Sequence, residues 1–154
     1  MTALAIEFPV IGISEAKSDA PYAFVAKTRN EMHESPLYMF LRGYFRNHYF
    51  VDAAGVKYLV QRPRVTGLDM IRIKEVGVVT SVVSALLSGF DFPVMVSFDL
   101  QSQGRVEIGE LREKLLQCLD VAPRLFTLNV SEQTVRRRLK AAKGYAALAA
   151  ALTI

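Results

Sequence analysis

The feature that most constrains this chain is a four-residue link, Asp52-Ala53-Ala54-Gly55, between two runs rich in aromatic and β-branched residues. Residues 48–51 (HYFV) precede the link and residues 56–61 (VKYLVQ) follow it. Glycine tolerates the positive φ that such a turn demands, and these residue types suit a pleated, half-buried strand. The spacing predicts an antiparallel hairpin. A lone hairpin is not stable in water, so the rest of the chain must supply strands or helices that cover it.

Further strands are legible from period-two alternation. Leu4, Ile6, Phe8 and Val10 alternate with smaller or polar residues, and Pro9 assigns that strand to an edge or a bulge. Residues 22–27 read as a short extended piece after a polar loop over residues 14–21. Residues 70–75 alternate, with Ile71 and Ile73 on one face. Residues 93–100 place Val94, Val96, Phe98 and Leu100 inward, and residues 101–105 read as a turn. Arg62-Pro63-Arg64 should end the second hairpin strand, because proline offers no N–H to a ladder.

Helical spacing fills most of the remainder. Ser35-Pro36 starts a helix carrying Leu37, Phe40, Leu41, Tyr44 and Phe45. Apolar pairs at 78/79, 82/83 and 86/87 predict a buried helix stopped by Gly89. Ile108, Leu111, Leu115 and Cys118 share a face of a third helix, which Pro123 breaks. Ser131 caps a final long helix with Val135, Leu139, Ala142, Ala146 and Ala149 inward. Its Ala-rich end suits close packing, within the monomer or between two copies. The expected fold is a single α+β domain over residues 1–154, a mainly antiparallel sheet with helices packed on one face.

Composition sets the class of function. Hydrophobic residues make up 51% and charged residues 22%, which is ample for a core. No stretch approaches the roughly 18 apolar residues of a membrane span, and the N-terminus lacks a basic leader region. The single cysteine excludes an internal disulfide, so a cytoplasmic location is expected. Residues 1–104 hold ten acidic and ten basic side chains. The net charge of +4 therefore traces to the C-terminal third, chiefly Arg136, Arg137, Arg138, Lys140 and Lys143 against Glu132.

No catalytic, metal or cofactor constellation is expected. There are two histidines, His33 and His48, and no HExxH, CxxC or glycine-rich phosphate loop. His33 beside Glu31 and Glu34 has the elements of an acid–base pair, but the cluster equally fits a polar loop before a helix. Cys118 falls in step with Leu111 and Leu115, the position of a buried structural thiol. Asp91 and Asp99 are too far apart along a strand to act together and mark turns. A small enzyme using His33, Glu34 or His48 is the third choice of function.

Residues 128–139 (LNVSEQTVRRRL) resemble the turn and recognition helix of helix-turn-helix repressors, in particular the V-S-x-x-T-[VI]-R-R-x-L pattern of DeoR-type regulators. The resemblance implies that Arg136 and Arg137 meet phosphates or guanines in a major groove. Pro123 falls where the preceding helix would run, so DNA reading is the second choice.

Residues 47–152 resemble, in layout, the small immunity proteins that accompany bacterial polymorphic and contact-dependent toxins. The resemblance rests on the hairpin link at 52–55, the strand Pro93-Val94-Met95-Val96-Ser97-Phe98, Glu110-Leu111-Arg112-Glu113-Lys114-Leu115-Leu116, and the helix from Val135 to Tyr145. It implies a non-enzymatic protein that binds and neutralises one toxin domain. Many nuclease-neutralising members are acidic and this chain is basic, so its partner should present an acidic surface or need not be a nuclease. The residues expected to bind the partner are Arg136, Arg137, Lys140 and Lys143 on the basic stripe, with Tyr44 and Tyr49 from the aromatic stretch.

Overall fold

The structure is a computed structural model that describes residues 5–15, 22–87, 92–123 and 129–153. Its six strands are β1 (Val10–Ser14), β2 (Tyr22–Ala26), β3 (Glu34–Pro36), β4 (His48–Val51), β5 (Val56–Leu68) and β6 (Pro93–Arg105). They form one sheet in the order β2-β1-β4-β5-β6-β3, with every pairing antiparallel. The helices are α1 (Arg29–His33), α2 (Leu37–Leu41), α3 (Met70–Val76), α4 (Val78–Leu87), α5 (Ile108–Val121), α6 (Glu132–Ala141) and α7 (Tyr145–Leu152). The chain is an α+β protein.

Strand alternation gives the sheet two apolar faces. One carries Ile11, Ile13, Tyr49 and Val51, and it packs on Leu111, Leu115, Cys118 and Leu119 of α5, Val135 and Leu139 of α6, and Leu148 and Ala149 of α7. The three long C-terminal helices thus share one face. The opposite face is covered as well. Val10, Phe50, Val60, Val94 and Val96 pack there with Met32 of α1, Phe45, and Leu37 and Phe40 around α2. Cover on both faces of the sheet explains why residues 48–51 are continuously buried rather than alternating.

The hairpin link is organised by a buried carboxylate. Asp52 Oδ1 accepts from the Ala54 and Val56 amides at 3.0 and 2.8 Å, and Oδ2 accepts from the Tyr58 hydroxyl at 3.2 Å and the Glu7 amide at 3.4 Å. Gly55 adopts φ +82, and a Cβ there would lie 2.3 Å from the Tyr145 ring. That ring is fixed because its hydroxyl donates to Val106 O at 2.6 Å. Glycine is required here for backbone shape and for space.

Several elements depart from the sequence expectation. Residues 70–75 form helix α3 instead of a strand. Asp69 Oδ1 accepts from the Arg72 amide at 3.1 Å as an N-cap, and Gly77 ends the turn at φ +92. Residues 62–64 do not end β5. Arg62 takes φ +48 and the register shifts between Gln61 and Arg64, so a bulge absorbs Pro63. Residues 101–105 remain in β6, paired with β5, where a turn was expected. The first strand starts at Val10, not at Leu4; Leu4 itself lies outside the described residues. Residues 31–34 are helix and strand rather than loop, since Thr28 caps α1. α2 ends at Leu41, so Tyr44 and Phe45 lie beyond it.

The single C-terminal helix is two. Arg112 of α5 donates from Nε to Leu139 O at 3.1 Å and from a terminal nitrogen to Ala142 O at 2.6 Å. These carbonyls at the end of α6 would otherwise need water or further helix, so the guanidinium acts as a tertiary cap. Ser131 caps α6 as expected, accepting from the Thr134 amide at 3.3 Å. Gly89, Asp91 and much of the loop at 14–21 lie outside the described residues.

Candidate functional site

The connection between β5 and β6 contradicts the expectation of a buried helix. Nine large apolar side chains between Leu68 and Leu86 are exposed, among them Val79 at 77%, Ile71 at 63% and Leu86 at 61%. α4 contains no charged residue and packs chiefly against α3. The spacing that marked it as a core helix is real, but among the described residues no core encloses it. A helix so apolar and without charge belongs in a protein interior or in an interface. At such exposure nine side chains present on the order of 800 Å² of apolar surface, above the ~300–600 Å² of a typical monomer's largest patch. That is about one partner's share of a standard protein–protein interface. The flanking charges are mostly positive: Arg64, Arg72 and Lys74 are exposed beside Glu75. Arg62 is bound to Asp99 at 2.7 Å.

A cleft of about 220 Å³ opens next to the first residues of this excursion. Tyr22 and Phe24 of β2, Tyr44, Phe45 and Met39 give it aromatic and apolar walls, and Glu31, Glu34 and Arg72 stand around it. His48 also lines it, 2% exposed, with Nε2 buried and without a hydrogen-bond partner. The imidazole is packed among Phe50 at 4.7 Å, Phe45 at 5.4 Å and Phe24 at 5.6 Å between ring centroids. Burial lowers its pKa to about 3, so it is neutral at ordinary pH. Burial raises the Glu34 carboxyl, helped by the charge of Asp69. Asp69 is itself buried, with Oδ2 unpaired.

This arrangement does not resemble a nucleophile–base pair. Ser14 Oγ donates to Tyr44 O at 2.5 Å and Ser35 Oγ donates to Pro36 O at 3.0 Å, so neither serine of the cleft is held by His48. His33 is tied elsewhere: its Nδ1 lies 2.8 Å from Val96 O and its ring stacks on Phe98 at 4.5 Å. It joins α1 to β6. Cys118 is fully buried, and burial raises its thiol to about 11. No group of three or more metal-ligating side chains occurs among the described residues. No described helix is long and apolar enough to cross a membrane.

The six residues expected to bind a partner do not form one surface. Tyr49 is buried beneath α5, with Lys57 Nζ 4.1 Å above its ring, and is part of the core rather than an anchor. Tyr44 lines the cleft. Arg136 is spanned between Asp120 at 2.5 Å and Glu132 at 2.8 Å through one terminal nitrogen, so its charge is already paired. Arg137, Lys140 and Lys143 are exposed on and after α6 and make no ion pair among the described residues. α6 turns Val135 and Leu139 into the core, and α5 ends at Val121. Leu128 and the stretch expected to hold the first helix of a helix-turn-helix lie largely outside the described residues.

The α3–α4 face and the cleft were not identified as sites from the sequence. The available signal for the first was the absence of any charged residue from 78–87. Comparison with protein-family models, with curated proteins and with solved structures finds no match to this chain.

Proposed function

We propose that this chain is a non-enzymatic binding protein that docks a partner protein through the apolar α3–α4 face. The observation that carries this reading is the ~800 Å² of apolar surface exposed along α3 and α4, the second of which has no charged residue. Arg64, Arg72 and Lys74 at its margin favour a partner whose groove is apolar and whose rim is acidic. Neutralisation of a bacterial toxin in the cytoplasm is the specific form of this reading, supported by the layout shared with immunity proteins over residues 47–152. The basic stripe Arg137, Lys140 and Lys143 then serves as a secondary charged contact, and Tyr49 has no part in it.

The test is co-expression with the product of the neighbouring gene, followed by co-purification and a growth assay for protection. Wild type should form a stable complex and protect. Val79→Asp/Val83→Asp should lose both while keeping its circular dichroism spectrum. Undiminished binding by that variant would remove α3–α4 from the interface. A dimer of the isolated chain that the same variant dissolves, or vesicle binding that it abolishes, would replace the partner protein with a second copy or a lipid surface.

The second reading is DNA recognition, favoured by the capped α6 and its exposed Arg137, Arg138, Lys140 and Lys143. It predicts a mobility shift that weakens steeply with salt and is lost in Arg137→Ala/Arg138→Ala. An unshifted probe at low salt rules it out.

A further inference from the structure

The cleft beside α3 has a chemistry that the docking reading does not use. Its rings stand around a common space: Tyr22 and Tyr44 meet edge-on at 5.8 Å, Tyr22 and Phe24 lie 6.0 Å apart, and Phe24 is stacked 5.6 Å from His48. An aromatic ring attracts a cation that comes within about 6 Å of its face. The fixed charge around the cleft is net negative, since Glu31 and Glu34 outnumber Arg72, and Asp69 and Glu75 act on Glu34 from close by. His48 adds no opposing charge, because a ring buried among three phenylalanines stays neutral.

We propose that this cleft binds a small organic cation, a methylated or quaternary ammonium, held by Tyr22, Phe24, Tyr44 and Phe45 with Glu34 as counter-charge. An ammonium whose hydrogens are replaced by methyl groups makes no hydrogen bonds and is cheaply desolvated. It therefore gains most from an apolar, electron-rich enclosure. The size agrees. A volume of about 220 Å³ corresponds to roughly seven waters at ~30 Å³ each, too small for a drug-sized molecule but enough for a trimethylammonium head group. A carboxylate or phosphate of similar size would meet Glu31 and Glu34 and be repelled.

The experiment compares choline with 3,3-dimethylbutan-1-ol, its neutral isostere, by calorimetric titration and by nuclear magnetic resonance of the full chain. Choline and tetramethylammonium should bind and shift signals from the cleft residues. The neutral isostere should bind about ten- to thirty-fold more weakly, the ratio set by a desolvated cation–π contact. Tyr44→Ala and Glu34→Gln should weaken choline binding several-fold, and Tyr44→Phe should retain it because the ring is kept. Equal affinity for the alcohol would overturn the proposal, as would an absence of choline binding at millimolar concentrations to a wild-type chain with native dichroism. Shifts confined to residues outside the cleft would overturn it too.

Discussion

Burial of His48 makes the fold acid-sensitive by an amount that can be worked out. The imidazole titrates near 6.5 in the unfolded chain and at about 3 in the folded one. Between those values unfolded molecules bind a proton that folded molecules refuse. The stability contributed by keeping this ring neutral is therefore present above about pH 6.5 and is lost progressively as pH falls toward about 3. At about pH 5 the gap is 1.5 pH units, and at ~1.4 kcal/mol per unit the loss is about 2 kcal/mol. The perturbation that isolates this effect is His48→Phe, which keeps an aromatic ring among Phe24, Phe45 and Phe50. The assay is urea denaturation followed by far-ultraviolet dichroism, since the chain has no tryptophan. Comparing stability at about pH 7.5 and about pH 5, wild type should lose ~2 kcal/mol more than His48→Phe. Any packing penalty of the larger ring is common to both pH values and cancels. Parallel pH profiles for the two proteins would refute the reasoning, because they would show that His48 charges as readily folded as unfolded.

Three further outcomes follow from the packing. Gly55→Ala places a Cβ at positive φ and against the Tyr145 ring, and should cost on the order of 2–4 kcal/mol in denaturation experiments. Asp52→Ala removes the acceptor for three backbone amides and the Tyr58 hydroxyl, and should cost on the order of 3–5 kcal/mol, with Ala54 and Val56 amides losing protection from hydrogen exchange. Arg112→Met removes the guanidinium donors to Ala142 O and Leu139 O, and leaves Leu139 O only the long bond from the Ala142 amide at 3.4 Å. It should cost about 2 kcal/mol, with the last turn of α6 exchanging fastest.

The elements most legible in the sequence were those whose stability is local. The hairpin at 52–55, the strand from Pro93 and the helix carrying Leu111, Leu115 and Cys118 follow from alternation, turn chemistry and helical spacing within a dozen residues of each other. The Ser131 cap is equally local. The misread elements depend on partners distant in sequence. β5 passes through Pro63 because β6 pairs with it on both sides of a bulge. The final helix divides because Arg112, 27 and 30 residues from its acceptors, holds the end of α6. Residues 70–75 show how weak a six-residue alternation is beside a side-chain cap and a glycine stop.

The candidate sites show the same division more sharply. Tyr49 and Tyr44 are five residues apart, yet one is core and the other lines a cleft, because Tyr49 sits in β4 beneath α5 whereas Tyr44 lies in the turn before that strand. Arg136 carries the same charge as Arg137 but is paired with Asp120 and Glu132.

By itself the sequence determined that the chain contains an antiparallel sheet and amphipathic helices, and that its excess charge gathers near residue 138. Those properties depend on residue type and short spacing. Only the tertiary structure decided what each apolar stretch is for. Residues 78–87 are as hydrophobic as the core strands, and periodicity records only that a face must be covered. Whether the cover comes from the same chain depends on how the sheet and helices fill the space around it. Here the two sheet faces are already occupied, and α3–α4 is left outside them.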